Sequence, residues 1–515
     1  MSTITTRKIA RRKRRIEKRL GSRHARIARD VPMLAARNVH YDIADRASAV
    51  CHGEIGAIHS LARRVGLIHA IADELHLLKV HLPYHESDHV LNIAYNVLCG
   101  GDCLQDLETL RNDEAYLDAL GAGRIPDPTT AGDFCRRFVT DEQLLTLMDT
   151  INHVRVNVWK HQPASFFDCA ILDADGTIAS TTGECKQGMS ISYNGQWGYH
   201  PLLISLANTK EPLYLVNRPA NRPSHEQADA YLDRAVALCR QAGFKSILLR
   251  GDTDFTQTWK LDAWDDADEV TFVFGCDAGR PLIARAQSLD DAAWKRLERP
   301  PRYDPKTGPR ARPDNVKEQV VVRKKYKNLV LEWEDVAEFE YRPGRCDRVY
   351  RLIALRKKIN MMEGELKLFD EYRYFFYITN DRTSSCEQIV FIANDRCDQE
   401  DLIAQLKGQV RALDNLHSNW AYMVMASLAW TLQAWYGLML PAPKGRWRER
   451  YEQERTEIVK MDFKRFVTNL VRLPCQIIRS GHRLLYRMLN YNPGSHAAPW
   501  RGRVANTDAM LTNPV

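Results

Sequence analysis

The 12 cysteines include no C-x-x-C pair and no dense cluster. No disulfide framework is implied, and buried reduced thiols are the expectation. No apolar segment follows the basic N-terminus, so no secretory signal is visible and cytoplasmic, nucleoid-associated residence is expected. The chain shows no internal repeat and no strong excess of one charge. Its 73 Lys+Arg stand against 65 Asp+Glu, a net charge of +8, so where the charge lies matters more than its total. Long apolar runs are also scarce. One uncharged stretch, Trp420 to Leu440, is long enough to span a bilayer. It carries Ser427, Thr431, Gln433 and Gly437, and reads as a helix buried on one side of a large sheet, with no membrane partner.

What is present is unevenly placed. A length of 515 residues predicts roughly three to four domains or subdomains. Residues 1–30 form a basic arm, with Arg11, Arg12, Lys13, Arg14 and Arg15 at its centre, and from Arg7 to Arg29 its one acid is Glu17. Such a block repels itself and suits a polyanion. Residues 31–160 read as helical, suited to DNA binding or dimerisation, with Ile58, Leu61, Val65 and Ile68 at helical spacing. Thr129 or Thr130 is expected to cap a helix running through Phe134 and Phe138.

From Pro163 the texture changes to strands, at Phe166–Leu172, Leu202–Leu206 and Leu213–Val216. A helix is expected next, with Ser224 and Gln227 as a capping box and Gly243 as terminator. Strands Ser246–Leu249 and Val270–Phe274 follow. The pattern is a mixed α/β sheet with crossover helices over 161–280. A Pro/Gly/basic linker at 299–313 precedes strand-like runs at Gln319–Lys324, Leu329–Trp333, Val349–Leu355 and Tyr372–Thr379. Residues 281–385 thus read as a β-rich insertion, 386–442 as the second part of the core, and 443–515 as a basic helical C-terminal region.

Three carboxylates carry the chemistry. Asp175 and Asp252 each follow an apolar strand, and Glu400 lies on a predicted helix. Asp173 shares a strand face with Asp175, but Asp175 is nearer the strand end, where a loop opens a site. Asp252 is preferred to Asp254 for its place directly at a strand end. Arg396 and Lys407 fall four before and seven after Glu400, on one helical face. Two strand-end aspartates and a helical glutamate can converge on two divalent cations about 3.5–4 Å apart, a device for phosphoryl transfer.

Those residues resemble a known family. Asp175-Gly176-Thr177, Asp252 with Phe255 three residues on, and Arg396-x3-Glu400-x6-Lys407 look like the motifs of bacterial insertion-sequence DDE transposases. The family's tyrosine position is occupied here by Ala393. The resemblance implies an RNase H-like mixed sheet with flanking helices, a β-rich insertion before the catalytic glutamate, and helical N- and C-terminal regions. It also implies DNA strand cleavage and transfer at insertion-sequence ends. Asp175, Asp252 and Glu400 would hold two Mg²⁺, with Mn²⁺ able to substitute, since hard carboxylate oxygens suit such ions. Arg396 and Lys407 would contact double-stranded DNA, both terminal inverted repeats and target, in an end-paired homodimer.

Two other classes compete. His85-Glu86-Ser87-Asp88-His89 matches the H-E-x-x-H pattern of zinc proteases, although Pro83 puts it at a helix start. A catalytically inactive, transposase-derived DNA-binding protein would be expected to have a broken carboxylate set, and all three carboxylates are present.

Overall fold

The computed structural model describes residues 14, 49–81, 83–181, 183, 186–299, 328–363, 366–396, 413–440, 448–480 and 483–489. Glu400, Lys407, Arg11, Arg12, Lys13 and Arg15 lie outside these, as do the linker from residue 300 on and the strand expected at Gln319–Lys324. Arg14 is described and exposed.

A nine-stranded sheet organises the molecule. Five consecutive strands at one side of it form the core: β1 (Ala170–Gly176), β2 (Leu202–Leu206), β3 (Glu211–Val216), β4 (Ile247–Gly251) and β5 (Val270–Cys276). Their spatial order is β3-β2-β1-β4-β5. β2 runs antiparallel to both β1 and β3, while β4 is parallel to β1 and β5 is parallel to β4. That is the RNase H-like arrangement. β2 and β3 are buried at every position, as strands covered on both faces must be, which accounts for their unbroken apolar texture.

The first strand begins later than the apolar run suggested. Phe166 and Phe167 lie in a short 3₁₀ turn, Ala164–Phe167, and the strand starts at Ala170. Phe166 and Phe167 are apolar because they join a ring cluster with Phe244, and Phe166 also meets Trp159. Asp173 and Asp175 therefore lie within β1, one strand period apart.

The β-rich insertion is a continuation of this sheet. Strands β6 (Asn328–Tyr341), β7 (Tyr350–Glu363) and β8 (Leu366–Thr379) form an antiparallel meander. β8 joins the core through Phe376–Thr379 alone, paired with Val273–Cys276 of β5. The stretch 366–375 runs past the end of β5 by roughly 30 Å, at about 3.4 Å per residue. Because β8 is antiparallel to β5, it projects on the side where β1, β4 and β5 end.

Helices pack around the sheet: α1 (Ile55–Arg64), α2 (Leu67–Glu74), α3 (Glu86–Leu98), α4 (Pro128–Cys135), α5 (Asp141–Trp159), α6 (Ala228–Ala242), α7 (Cys386–Asn394), α8 (Leu416–Leu438) and α9 (Arg448–Lys460). Two caps differ from expectation. Asp127, with Pro128 behind it at the first helical position, caps α4 by accepting the Thr130 N–H at 2.9 Å. At α6 no capping box forms: Gln227 stands at the N-cap with φ 62°, and the Ser224 hydroxyl donates instead to Asp254 at 2.7 Å. Gly243 ends α6 at φ 96°, as a C-terminal glycine should. The C-terminal region adds a hairpin, Cys475–Ser480 with Arg483–Met488, which pairs with Ala49–Val50.

The uncharged run is α8, packed on β3, α3, α5 and α9. Its polar atoms find partners inside the protein. Gln433 donates to the carbonyls of Ile458 (3.1 Å) and Met461 (2.8 Å), and Thr431 accepts from Arg155 (3.1 Å). Trp435 Nε1 donates to Glu211 at 2.8 Å. Glu211 is completely buried and also accepts from Arg155, Trp159 and Thr209. Among the described residues no helix is long and apolar enough to cross a membrane.

Candidate active site

The site begins with a buried pair that has no free valence to offer. Asp173 of β1 lies opposite Arg250 of β4. The guanidinium grips the carboxylate at both oxygens, Nε–Oδ1 2.7 Å and Nη2–Oδ2 2.8 Å, with both residues buried. The third arm of Arg250, Nη1, donates to the Ile392 carbonyl at 3.0 Å, in the last turn of α7. A cation at a helix C-terminus is favoured by the backbone dipoles there. Arg250 thus ties the two central strands to the end of α7.

That tie delivers Arg396. α7 ends at Asn394, so Arg396 stands just past it rather than within it. Its Nη1 reaches the Ala174 carbonyl at 3.4 Å and lies 4.0 Å from Oδ2 of Asp175 and 4.0 Å from Oδ2 of Asp252. The other oxygen of each carboxylate is pinned by backbone. Asp175 Oδ1 accepts the Gly176 N–H at 2.7 Å, and Asp252 Oδ1 accepts the Asp254 N–H at 2.9 Å. Both aspartates therefore turn Oδ2 toward one shared cationic centre. Burial raises the Asp252 pKa, and the Arg396 charge opposes that rise. Gly251 lets the chain turn here, since a side chain at that position would meet Phe255 Cβ at 2.6 Å.

The segment after β3 braces the same corner. Arg218 is buried and spreads over the carbonyls of His200, Pro223, Ser224 and Glu226. His200 Nδ1 sits 2.9 Å from the Arg222 carbonyl, which makes Nδ1 the donor. Its Nε2 faces Gly176, 3.0 Å from where a Cβ would stand. Burial lowers the His200 pKa. Ser224 completes the brace by holding Asp254.

Of the sequence-predicted residues, Asp175, Asp252 and Arg396 are brought together. Glu400 and Lys407 fall outside the described residues. Ala393, at the tyrosine position of the motif, packs beside the small apolar cluster of Val273, Ile353, Leu355 and Ile389. Among the described residues no three His, Cys, Asp or Glu side chains form a metal cage. The donor set fits a hard divalent ion even so: two carboxylates aimed at one centre already favoured by a cation, with oxygen donors only. Arg250 carries its signal in the sequence itself, as a charge among the apolar residues of Ile247–Leu249. A lone charge inside an apolar strand needs a buried partner. His200 and Arg218 had none.

The H-E-x-x-H motif is used otherwise. Glu86 is buried and accepts the N–H groups of Leu77 and Leu78, at 3.0 and 2.9 Å. His89 is buried and stacked on Phe134, with ring centroids 4.3 Å apart, and burial pushes its pKa down to about 4. His85 stands at the N-cap of α3. Glu86 is thus taken up by backbone N–H groups and His89 by ring packing, and among the described residues no cluster of three metal-ligating side chains forms, so nothing here supports the protease reading.

Comparison with known proteins settles the family. The profile described as "Transposase DDE domain group 1" matches residues 45–498. The chain belongs to that family. Membership in this transposase family implies DNA nuclease and strand-transferase activity. The curated proteins contain no match. Among solved structures, the chain is similar to a piggyBac transposase, seen by cryo-EM in a synaptic complex with hairpin DNA. The likeness is 11% identical, covers 88% of this chain and 90% of that one, and has a TM-score of 0.36. So slight a likeness carries no argument about individual residues.

Proposed function

We propose that this transposase cleaves DNA strands at the ends of a bacterial insertion sequence and transfers them to a target, with Asp175, Asp252 and Glu400 as its catalytic carboxylates. The observation that carries the reading is the position of Arg396 Nη1, 4.0 Å from Oδ2 of both Asp175 and Asp252. Two aspartates distant in sequence meet at the ends of adjacent parallel strands and share one cation, with their remaining oxygens fixed by backbone.

Asp175, Asp252 and Glu400 would hold two Mg²⁺, with Mn²⁺ as a substitute. Bound there, the ions would polarise the attacking hydroxyl and stabilise the leaving 3′ oxygen. The chain's own residues do the rest. Backbone N–H groups at Gly176 and Asp254 orient the carboxylates. Arg396 limits their mutual repulsion and offers a cation to a phosphate brought to the site. Lys407 and the arm residues Arg11, Arg12, Lys13, Arg14 and Arg15 would bind DNA backbone, giving affinity that falls with salt. Residues 31–160 would serve DNA binding or dimerisation, and two chains would pair two ends in the nucleoid.

The test is cleavage of DNA carrying the element's own flanks, in Mg²⁺, by wild type and Glu400→Gln. The reading expects wild type to nick at the element ends and Glu400→Gln to bind them without nicking. Equal nicking by both would overturn the assignment of Glu400.

A further inference from the structure

Near its C-terminal end the chain loses its balance of charge. From Phe463 to Thr507 it has 8 Lys and Arg and no Asp or Glu. At the chain's average density of acids, such a length would hold about six. The described part of this stretch ends in the hairpin of Cys475–Ser480 with Arg483–Met488. Lys464, Arg465, Arg472 and Arg487 are exposed, and among the described residues no carboxylate lies within ion-pair distance of them. Arg472 lies over the end of α3, against Gly100, where the backbone dipoles favour a cation. Arg487 has no such post, and its Nη1 donates to Gln476 at 3.2 Å across the hairpin.

One face of the hairpin is fixed to the protein. Cys475 and Ile477 are buried, and Tyr486, the partner of Ile477, donates its hydroxyl to the Ala119 carbonyl at 2.9 Å. A side chain at Gly56 would collide with that hydroxyl, and one at Gly53 with the Cys475 sulfur. The other face looks outward. There the register sets Gln476 opposite Arg487, Ile478 opposite Leu485, and Ser480 opposite Arg483. Leu485 is 52% exposed. Positions 483 and 487 lie four residues apart on one strand, roughly 14 Å at about 3.4 Å per residue. The major groove of B-DNA is about 12 Å wide and admits a two-stranded β-ribbon. The strand Ala49–Val50 is antiparallel to Cys475–Ser480 and so begins on the side of the hairpin's turn. The basic arm precedes that strand in the chain.

We propose that the outer face of this hairpin lies along the major groove of double-stranded DNA, with Arg483 and Arg487 on the phosphates of its two sides and Leu485 with Ile478 over the groove. Apolar side chains there can meet the methyl groups of thymine. A stretch with no carboxylate suits a polyanion. Double-stranded RNA fits less well, because its major groove is too deep and narrow for side chains to read. A protein partner also fits less well, because two apolar side chains fall far short of the roughly 1,600 Å² of a stable interface. The segment sets out from Lys460, whose carbonyl accepts Lys210 Nζ at 3.1 Å. Lys210 lies in the turn from β2 to β3, at the end of the sheet opposite Asp175. The inference rests on the transposase reading above and adds to it a DNA contact outside the carboxylate site.

The probe is duplex DNA carrying the element's own ends, bound to the full-length chain over a series of salt concentrations. Each phosphate contact contributes about 0.9 to the slope of log K against log salt. Arg487→Gln should lower that slope by about 0.9, and Arg483→Gln together with Arg487→Gln by about 1.8. Arg483→Lys with Arg487→Lys should keep the wild-type slope. Arg487 is exposed, so the melting temperature of Arg487→Gln should match wild type. Dimethyl sulfate methylates guanine N7, which faces the major groove. Wild type should shield at least one guanine that the double Arg→Gln variant leaves reactive. An unchanged slope in both Arg→Gln variants would overturn the proposal, as would the same guanine shielding in wild type and the double variant. So would a change confined to oligomeric state by sedimentation, the sign that the hairpin's outer strand pairs with a second copy. Wild type that binds none of these duplexes would instead sink the transposase reading, and this inference with it.

Discussion

Strands β1 and β4 carry two arginine–aspartate arrangements within a few residues of each other, and the two differ in every respect that matters. Arg250 and Asp173 close on each other at 2.7 and 2.8 Å, out of solvent. Arg396 stands back at 4.0 Å from both Asp175 and Asp252, and the Asp252 side chain is 42% exposed. The first pair uses its charges on itself and fixes α7 to the sheet. The second holds two carboxylates toward a common point without closing on either. A bidentate buried pair is architecture. Two carboxylates gathered loosely around one cation, at the end of parallel strands, would leave room for the further ion that the proposed function requires.

Breaking the closed pair should have the largest effect, and it should fall on folding. Arg250→Met leaves Asp173 as a buried charge without its counter-ion, which costs about 3–5 kcal/mol. Urea unfolding should show a loss of that size. A loss under about 1 kcal/mol would mean that the pair does not fasten the strands.

Breaking the open arrangement should separate activity from stability. Arg396→Ala removes a partly exposed cation from two carboxylates, so its cost to folding is expected to stay below about 1 kcal/mol. Nicking of end DNA should fall by about a hundredfold, the scale seen when one donor to a developing charge is removed. A variant that lost stability but kept its nicking rate would make Arg396 a structural residue like Arg250.

The smallest effect sharpens the contrast through pH. Burial holds the Asp252 carboxyl above its ordinary value. A raised folded-state pKa means that the folded chain binds this proton more tightly than the unfolded one. The group's contribution to stability is then full below the unfolded pKa and is lost as pH rises through the folded pKa. Metal-free Asp252→Asn escapes that loss. Its urea midpoint should exceed wild type at about pH 7, and the advantage should disappear at about pH 4. A variant less stable than wild type at neutral pH would show that the carboxylate is stabilised where it stands.

The same comparison shows what could be read from the sequence. Asp175, Asp252 and Arg396 were legible because strand ends and motif spacing are local patterns. Nearness to the strand end favours Asp175 over Asp173 in the sequence, and in the structure Asp173 is paired with Arg250. Long-range partners were not legible. Nothing near Ser224 in sequence announces Asp254, which lies 30 residues away. That competition turned an apparent capping box into a brace. The insertion was legible as strands, but its fusion to β5 through four residues of β8 depends on a pairing that no local pattern encodes. The late start of β1 has a similar cause, because Phe166 and Phe167 are apolar for a ring cluster and not for a strand.

The most direct test is the rate of nicking at the element's own ends in Mg²⁺ by Asp252→Asn. The variant keeps the shape of the side chain and removes its charge. The account predicts a rate at least about a hundredfold below wild type, the equivalent of several kcal/mol of transition-state stabilisation, with end-DNA affinity retained. A folded Asp252→Asn that nicks within about threefold of wild type would contradict it.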